Sequence, residues 1–345
     1  HFAVSLMYQA GVPKNSLQIV AGLGADVGLP LCSNPKISGV CFTGSTDTAN
    51  TINQIIAEKL PAHVPFIAET GGLNAMIVDS TALLEQAVRD GISSAFQSAG
   101  QRCSALRMLY VQEDIASNFT KMLFGAMESL VVGDPSTIDC DVGPVIDKVA
   151  QNKILDYIAR GRVLFQTSAP KAGNYVAPTV LGVDGVGDLG NEIFGPVLHL
   201  GIFKADDLDA VIRSINATGY GLTFGFHSRI DARVQQIISQ VDVGNLYINR
   251  NQIGAVVGAQ PFGGHGLSGT GPKAGGPRYL HRFASQSRLG TNGIFPKKMN
   301  SIELEAAFRE TSQGLSVDAT NLPGPTGESN LYTLKPRPSY MGCWL

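Results

Sequence analysis

Short apolar runs of β-forming residues alternate along the chain with longer segments in which apolar positions recur every three or four residues. The pattern predicts strands in ISGVCFT (37–43), NAMIVD (74–79) and RMLYVQ (107–112), each followed by an amphipathic helix. A second group of such elements runs from about residue 145 to the strand-like VGNLYINR at 243–250. This alternation of strands and helices predicts an α/β fold with a largely parallel sheet.

Composition narrows the classes of function. The chain has 345 residues, of which 44% are hydrophobic and 16% charged, so it can bury a large core. Its net charge is -2, and Lys and Arg do not cluster among aromatic residues, which argues against a nucleic-acid partner. Apolar runs stay short of the roughly 18 residues that span a bilayer, and the first residues do not resemble a signal peptide. We therefore expect a cytoplasmic protein.

The cysteines point to chemistry at one position. Five cysteines occur without CxxC pairing or a nearby histidine at metal-ligand spacing, so neither a disulfide framework nor a metal site is expected. Cys103 lies in SAFQSAGQRCSALR (93–106), between Arg102 and Ser104 and just after Gly100, which permits a tight turn. Electropositive surroundings of this kind favour a thiolate, and hence a nucleophile. The alternative is a small, buried, apolar cysteine.

A nucleophile of this type needs a base. Glu69 ends the apolar run in FIAETGG and is followed at once by two glycines. Burial there would raise the pKa of its carboxyl group towards neutrality, which suits a general base for water. The alternative for Glu69 is a helix-capping or salt-bridged carboxylate.

Two glycine-rich segments could bind a phosphate. AGLGADVG (21–28) follows the apolar run SLQIV, but its GxGxxxG spacing is weak evidence. A turn between a strand and a short helix is the favoured interpretation, because no acidic residue ends a second strand about 20 residues on. FTGSTDTA (42–49) is the better candidate, because an apolar run stops at Gly44 and Ser45 opens a helix whose free N–H groups would meet a phosphate. The alternative for Ser45 is an ordinary helix cap.

Four motifs in order resemble the aldehyde dehydrogenase superfamily: ETGG (69–72), QRC (101–103), EIFGPV (192–197) and QPFGGHGLSG (260–269). The resemblance covers residues 1 to about 290 and implies an aldehyde dehydrogenase-like fold, with Cys103 as the nucleophile and Glu69 as the base. It implies NAD as the cofactor and no metal. The cofactor contacts that it implies are Gly44 and Ser45 at the pyrophosphate, Thr70 and Gly71, Glu192 at the nicotinamide ribose, and Phe194 beside the nicotinamide. Core packing is the alternative for Phe194.

Within that superfamily, QRCSALR, NRNQIGAVVGAQPFGG, GTGPKAGGPRYLHRF and LPGPTGESN are similar to the glutamate semialdehyde dehydrogenase domains of bifunctional bacterial proline utilization flavoenzymes. The similarity implies oxidation of L-glutamate γ-semialdehyde, the hydrolysed form of pyrroline-5-carboxylate, to L-glutamate. It implies that Ser104, Gly254 and Ala255 hold the substrate carboxylate and that Phe262 lies against the aliphatic chain. A helix cap, a turn and a core aromatic are the corresponding alternatives.

The resemblance also implies an organisation. We expect a partial Rossmann-type NAD-binding domain at 1–70, a catalytic α/β domain at 71–250, a return to the NAD-binding and oligomerisation region at 251–290, and a C-terminal tail at 291–345. The leading strands, the oxyanion asparagine and the lysine for the adenosine ribose are expected upstream of residue 1. So is a proline dehydrogenase module, which alone would carry FAD.

We further expect a homo-oligomer and, through the full-length protein, peripheral contact with the inner membrane. Two alternatives stay open at this point. One is a dehydrogenase of another semialdehyde, such as succinate semialdehyde, or one with a coenzyme A acceptor. The other is a non-catalytic assembly module. The presence of Glu69 favours water as the acceptor.

Overall fold

The computed structural model describes residues 1–283 and 319–334. Helices and strands alternate through most of this length. In chain order they are α1 (Phe2–Gln9), α2 (Leu29–Cys32), β1 (Val40–Thr43), α3 (Thr46–Lys59), β2 (Phe66–Glu69), β3 (Ala75–Val78), α4 (Leu84–Phe96), β4 (Met108–Gln112), α5 (Glu113–Glu128), α6 (Lys148–Ile158), β5 (Arg162–Gln166), β6 (Thr179–Gly182), β7 (Val197–Phe203), α7 (Leu208–Ala217), β8 (Tyr220–Gly221), β9 (Thr223–His227), α8 (Asp231–Gln240), β10 (Asn245–Ile248), β11 (His265–Gly266), β12 (Thr320–Leu322) and β13 (Asn330–Tyr332).

A seven-stranded sheet forms the centre, in the order β10-β9-β3-β4-β7-β6-β5. Neighbouring strands are parallel except β5, which pairs antiparallel with β6. Along β3, Met76 and Val78 face α4, α5 and α6, whereas Ala75 and Ile77 face α7 and α8. Both faces of this strand are therefore buried, as expected for a parallel sheet with helices on each side. The predicted α/β class and the strands in NAMIVD, RMLYVQ and VGNLYINR are confirmed.

A separate two-stranded parallel sheet joins β1 to β2, with Thr43 opposite Glu69. Ile52 and Ile56 of α3 pack into a small apolar cluster beneath it, together with Leu60. Because the two strands end at the same edge, the residues that follow each of them, Gly44 and Thr70, lie next to each other. Crevices beyond the carboxyl ends of parallel strands are where α/β proteins bind ligands.

One sequence-based strand is wrong. The run SLQIV (16–20) forms no strand, and Val20 is 63% exposed. The glycine-rich segment after it forms a π-helical turn, Gly24–Gly28, that leads into α2. Apolar composition alone does not make a strand.

The described part of the predicted tail is a β12–β13 hairpin. Its turn contains Gly327 at φ +91°, and the Asn330 side chain donates to the Pro323 carbonyl at 3.1 Å. These contacts are local. The rest of the predicted tail lies outside the described residues.

The chain divides into two compact units, one of residues 1–253 and 263–271, the other of 254–262 and the residues from 272 onward. The sequence-based division into NAD-binding, catalytic, oligomerisation and tail segments stays a prediction. Over residues 1–283 and 319–334, no helix combines the length and the apolar character that crossing a membrane requires.

Candidate active site

The segment before Cys103 has an unusual backbone. After α4 the chain turns through Ser98 (φ 57°), Ala99 (φ 53°) and Gly100 (φ 66°), all in the left-handed region. A Cβ on Gly100 would lie 2.1 Å from the carbonyl oxygen of Gly195, so only glycine fits. The tight turn predicted at Gly100 is confirmed. Left-handed conformations cost about 1–2 kcal/mol for other residues, so the surrounding contacts must hold this turn in place.

The Cys103 thiol is half-buried among carboxylates. Burial foremost, then the charge of Glu192 and more weakly that of Glu69, raise the pKa of Cys103, while hydrogen bonds from the N–H groups of Ser104 and Cys103 lower it. Together, these effects place the pKa of Cys103 above the ordinary value of a cysteine. The expectation that Arg102 supplies a cation to the thiol is wrong, because its side chain turns back and its Nε donates to the Ser98 hydroxyl at 3.0 Å.

The cation beneath the nucleophile is Arg107. It lies at the start of β4 and is 1% exposed. Its guanidinium donates to the carbonyl oxygens of Gly100 (2.8 Å), Arg102 (3.1 Å) and Gly195 (3.2 Å). It also pairs with the Glu192 carboxylate, Nη2 to Oε1, at 3.0 Å. One buried guanidinium therefore ties the Cys103 segment to EIFGPV.

Glu192 lies against the glycines of ETGG. A Cβ on Gly71 would lie 1.7 Å from the Glu192 Oε2 atom, and the N–H of Gly72 donates to the carboxylate. Burial raises the pKa of Glu192, while the charge of Arg107 opposes that rise. The structure thus brings Gly71 and Glu192, two of the predicted cofactor residues, into contact beside Cys103.

Phe194 lies with its ring over the Arg107 guanidinium, 5.4 Å from centroid to Cζ. The ring is 47% exposed. The alternative of a core aromatic residue is excluded by this exposure, and the ring leaves a face available to a flat ligand.

Glu69 is the last residue of β2 and is half-buried. Its Oε2 atom accepts the N–H of Gly264 at 3.0 Å. The next residue, Thr70, is buried and donates its N–H to Ser268 (3.0 Å) and its hydroxyl to Leu267 (2.6 Å). The QPFGGHGLSG segment therefore fixes the ETGG turn so that the charge of Glu69 acts on the Cys103 thiol.

Gly44 and Ser45 join β1 to α3. The N–H of Gly44 donates to the Glu69 carbonyl at 3.2 Å, and a Cβ on Gly44 would lie 2.4 Å from the Phe42 ring. Ser45 caps α3, its hydroxyl accepting the N–H of Thr48 at 3.2 Å. The helix predicted to open at Ser45 is confirmed. The alternative of a helix cap is also confirmed. The cap is compatible with a cofactor contact at the exposed side of Ser45, which stays a prediction.

The predicted substrate residues fall in both units. Ser104 is buried beside Cys103 in the first unit. Gly254, Ala255 and Phe262 lie in the second unit. There, Gly254 has φ +75°, and Phe262 exchanges backbone hydrogen bonds with Ala274 at 3.0 and 2.8 Å. The roles of Ser104, Gly254 and Ala255 in binding a carboxylate, and of Phe262 against the aliphatic chain, stay predictions.

The residues of the first unit fit a dinucleotide. The N-terminus of α3 is exposed, and the N–H groups of a first helical turn have no intrahelical acceptors, which suits a pyrophosphate. Asp47 in that first turn opposes an anion. Phe194 offers an aromatic face, and the Glu192 carboxylate could accept from ribose hydroxyls. On balance, the donor and acceptor set suits NAD.

Two residues of this site, Arg107 and Asn74, are not predicted from the sequence. Arg107 was noticed only as part of QRCSALR, although a charged residue at the start of the apolar strand RMLYVQ is an available signal for a buried ion pair. Asn74, whose side chain donates to the Cys103 carbonyl at 2.6 Å, carries no sequence signal, because an asparagine before a strand is common at turns.

Comparison with known proteins agrees with the resemblance drawn from the sequence motifs. Residues 2–288 match the aldehyde dehydrogenase family. The bifunctional protein PutA of Klebsiella aerogenes is 43% identical over 376 residues, which cover 97% of this chain and 29% of that protein.

Solved structures agree. The crystal structure of a bifunctional proline utilization A protein is 53% identical, with a TM-score of 0.80, over 82% of this chain and 29% of that one. The 1-pyrroline-5-carboxylate dehydrogenase from Thermus with bound NAD is 33% identical, with a TM-score of 0.75, over 81% of this chain and 56% of that one. The chain therefore spans less than a third of the PutA relatives and about half of the shorter enzyme.

Proposed function

The chain belongs to the aldehyde dehydrogenase family, and from that membership we propose that it oxidises L-glutamate γ-semialdehyde to L-glutamate with NAD. The similarity to PutA and to 1-pyrroline-5-carboxylate dehydrogenase supports this substrate. One observation carries the proposal. The buried Arg107 guanidinium binds both the carbonyls of the Cys103 segment and the Glu192 carboxylate, and Glu192 lies against Gly71, two positions after Glu69.

In the proposed reaction Cys103 attacks first. Its thiolate adds to the aldehyde carbon and forms a hemithioacetal, whose negative oxygen needs donors. The N–H of Cys103, which lies beside the sulfur, is the donor that we propose for this oxygen. Burial and the charges of Glu192 and Glu69 raise the pKa of the thiol, and we propose that its proton passes to a neighbouring carboxylate before attack.

Bound NAD supplies the acceptor for the hydride that leaves the hemithioacetal carbon, which leaves a thioester on Cys103. Glu69 then removes a proton from water, the resulting hydroxide attacks the acyl carbon, and the carbon–sulfur bond breaks. The products are the carboxylate and the regenerated Cys103 thiolate. The Gly264 N–H holds the Glu69 carboxylate in place for this step.

Substrate choice is the finer part of the proposal. Ser104 and the backbone N–H groups at Gly254 and Ala255 would hold the α-carboxylate, with Phe262 against the aliphatic chain. In the whole protein we also propose a homo-oligomer, a cytoplasmic location with peripheral inner-membrane contact, and a proline dehydrogenase module with FAD.

The test measures NADH formation from glutamate semialdehyde, succinate semialdehyde and a simple alkyl aldehyde, with the wild type, Cys103→Ala and Glu69→Gln. We expect the wild type to prefer glutamate semialdehyde and Cys103→Ala to be inactive with every aldehyde. Glu69→Gln should give a single-turnover burst of NADH followed by a steady rate reduced on the order of 100-fold, since deacylation depends on this base more than acylation does.

Glu69→Gln has a second, opposite effect that a misfolded protein would not show. Removing its negative charge should lower the pKa of Cys103 and speed alkylation of that thiol at neutral pH. Cys140→Ala, a change of another half-buried cysteine, is the matched control and should keep full activity. Turnover by Cys103→Ala above about one percent of wild type would overturn the assignment of the nucleophile.

A further inference from the structure

Three consecutive carbonyl groups at the nucleophile point into the protein and are held there by side chains. The Asn74 Nδ2 atom donates to the carbonyl oxygens of Cys103 (2.6 Å) and Ala105 (2.9 Å). Between them, the Ser104 carbonyl accepts from the Thr223 hydroxyl (3.2 Å) and the Gln252 Nε2 atom (3.4 Å). We call Asn74, Thr223 and Gln252 the carbonyl clamp.

The carbonyl clamp is a single network of buried residues. Its three side chains are at most 3% exposed and come from the residue before β3, the start of β9 and the segment after β10. The Asn74 Oδ1 atom accepts the N–H of Thr223 at 3.1 Å, and Gln252 Nε2 donates to the Thr223 hydroxyl at 3.3 Å. Residues from three places in the sequence, about 30 to 180 positions apart, thus converge on one loop.

Planarity of the peptide bond gives the clamp a consequence on the other side of the loop. In a trans peptide the C=O and N–H groups point in opposite directions. When Asn74 holds the Cys103 carbonyl inward, the N–H of Ser104 must point outward, towards the thiol. The neighbouring peptide follows the same rule, since Arg107 holds the Arg102 carbonyl and the Cys103 N–H points to the sulfur.

The buried amide of Asn74 could instead serve stability alone. Gln151 provides a comparison within the same chain, because it is also buried and also donates to two carbonyls, those of Gly173 (3.3 Å) and Tyr175 (2.7 Å). Those carbonyls belong to a segment without a candidate functional residue. A purely structural amide would therefore affect stability at either position and the thiol at neither.

We propose that Asn74, supported by Thr223 and Gln252, is a positioning residue that orients the Cys103–Ser104 peptide so that its N–H faces the Cys103 sulfur. Asn74 touches neither substrate nor cofactor in this proposal and acts only through the loop. The inference rests on the proposed function, in which Cys103 is the nucleophile.

The experiment follows the rate of iodoacetamide alkylation of Cys103 against pH, with mass spectrometry of the Cys103 peptide as readout and the exposed Cys41 as internal reference. In Asn74→Ala the midpoint of the Cys103 profile should rise by about one pH unit, which means about tenfold slower alkylation at a fixed pH below it. Thr223→Val removes one hydroxyl donor and should raise the midpoint by less.

Gln151→Ala is the matched control and should leave the Cys103 midpoint unchanged. An unchanged midpoint in folded Asn74→Ala would overturn the proposal, and so would an equal rise in Gln151→Ala. If Asn74→Ala does not fold, Thr223→Val decides in the same way. Alkylation needs neither aldehyde nor NAD, so a shifted midpoint in a protein without dehydrogenase activity would reject the proposed function and keep the role of Asn74.

Discussion

The Cys103 segment and the Gly44–Ser45 turn are the two places where the site depends most on backbone position, and they are held in different ways. In the first, the carbonyls of residues 100 and 102–105 all accept hydrogen bonds from buried side chains that lie up to 148 positions away in the sequence. In the second, the Ser45 hydroxyl bonds to Thr48, three positions on, at an exposed surface.

The difference shows which part of the site is controlled by tertiary structure. The position of the nucleophile depends on residues from several strands, and a change in any of them reaches Cys103. The cap at Ser45 is a local contact. The turn as a whole is also held by the Gly44 N–H, which donates to the Glu69 carbonyl, but it depends on fewer distant side chains than the Cys103 segment does. Mutations in the two regions should therefore differ in size and in the quantity that they affect.

The largest expected effect is that of Arg107→Met. This change leaves the Glu192 carboxylate buried without its partner and frees three inward carbonyls, so we expect a loss of about 3–5 kcal/mol in the free energy of unfolding. Urea denaturation measures it. Arg102→Met, at the residue whose side chain donates to the Ser98 hydroxyl, is the control and should cost less than about 1 kcal/mol. Similar losses in the two variants would contradict the central role of Arg107.

An intermediate effect is expected at His199, behind the same segment. Its Nδ1 atom lies 2.8 Å from the Arg107 carbonyl, which can only accept, so Nδ1 carries the proton and Nε2 accepts from the Tyr157 hydroxyl at 2.8 Å. Burial lowers the pKa of His199 to about 4, below the value near 6.5 of an unfolded chain. The unfolded state therefore binds the extra proton, and stability falls as pH drops from about 6.5 to 4.

His199→Gln should reduce that fall by up to about 3 kcal/mol, measured as the free energy of unfolding at pH 7 and pH 4.5. His63→Gln, at an exposed position, is the control. If both variants keep the wild-type dependence on pH, His199 is not the buried neutral group that the geometry indicates.

The smallest effect is expected at Ser45. Ser45→Ala removes the cap of α3 and should lower stability by about 1 kcal/mol. If the turn also contacts a pyrophosphate, the rise in Tm on adding NAD should be smaller in this variant than in the wild type. Ser239→Ala, which removes an exposed hydroxyl on α8, is the control. Equal NAD-induced shifts in both variants would remove Ser45 from the cofactor site.

Sequence predicted the parts of the molecule that depend on neighbours along the chain. The alternation of β3, α4, β4 and α5, the Ser45 cap and the turn at Gly100 all follow from local pattern or residue type. The pairing of Glu69 with Cys103 as base and nucleophile stays a prediction. Two expectations drawn from adjacency in the sequence are wrong: the Arg102 side chain turns back to Ser98, while the buried cation of this segment is Arg107, and the run SLQIV forms no strand. Asn74 and Gln252 meet at the loop only through strand order, which no local pattern encodes.

The left-handed backbone at Ser98, Ala99 and Gly100 limits which residues can replace them during evolution. A β-branched residue at any of the three would clash with its own backbone, so variation there should be confined to glycine, asparagine and other small residues. Gly100 is restricted further, since its missing side chain leaves the space that the Gly195 carbonyl occupies. Gly195 is restricted separately, since a Cβ there would lie 2.4 Å from the Ile154 Cδ1 atom. A library randomised at 98–100 should recover few functional members.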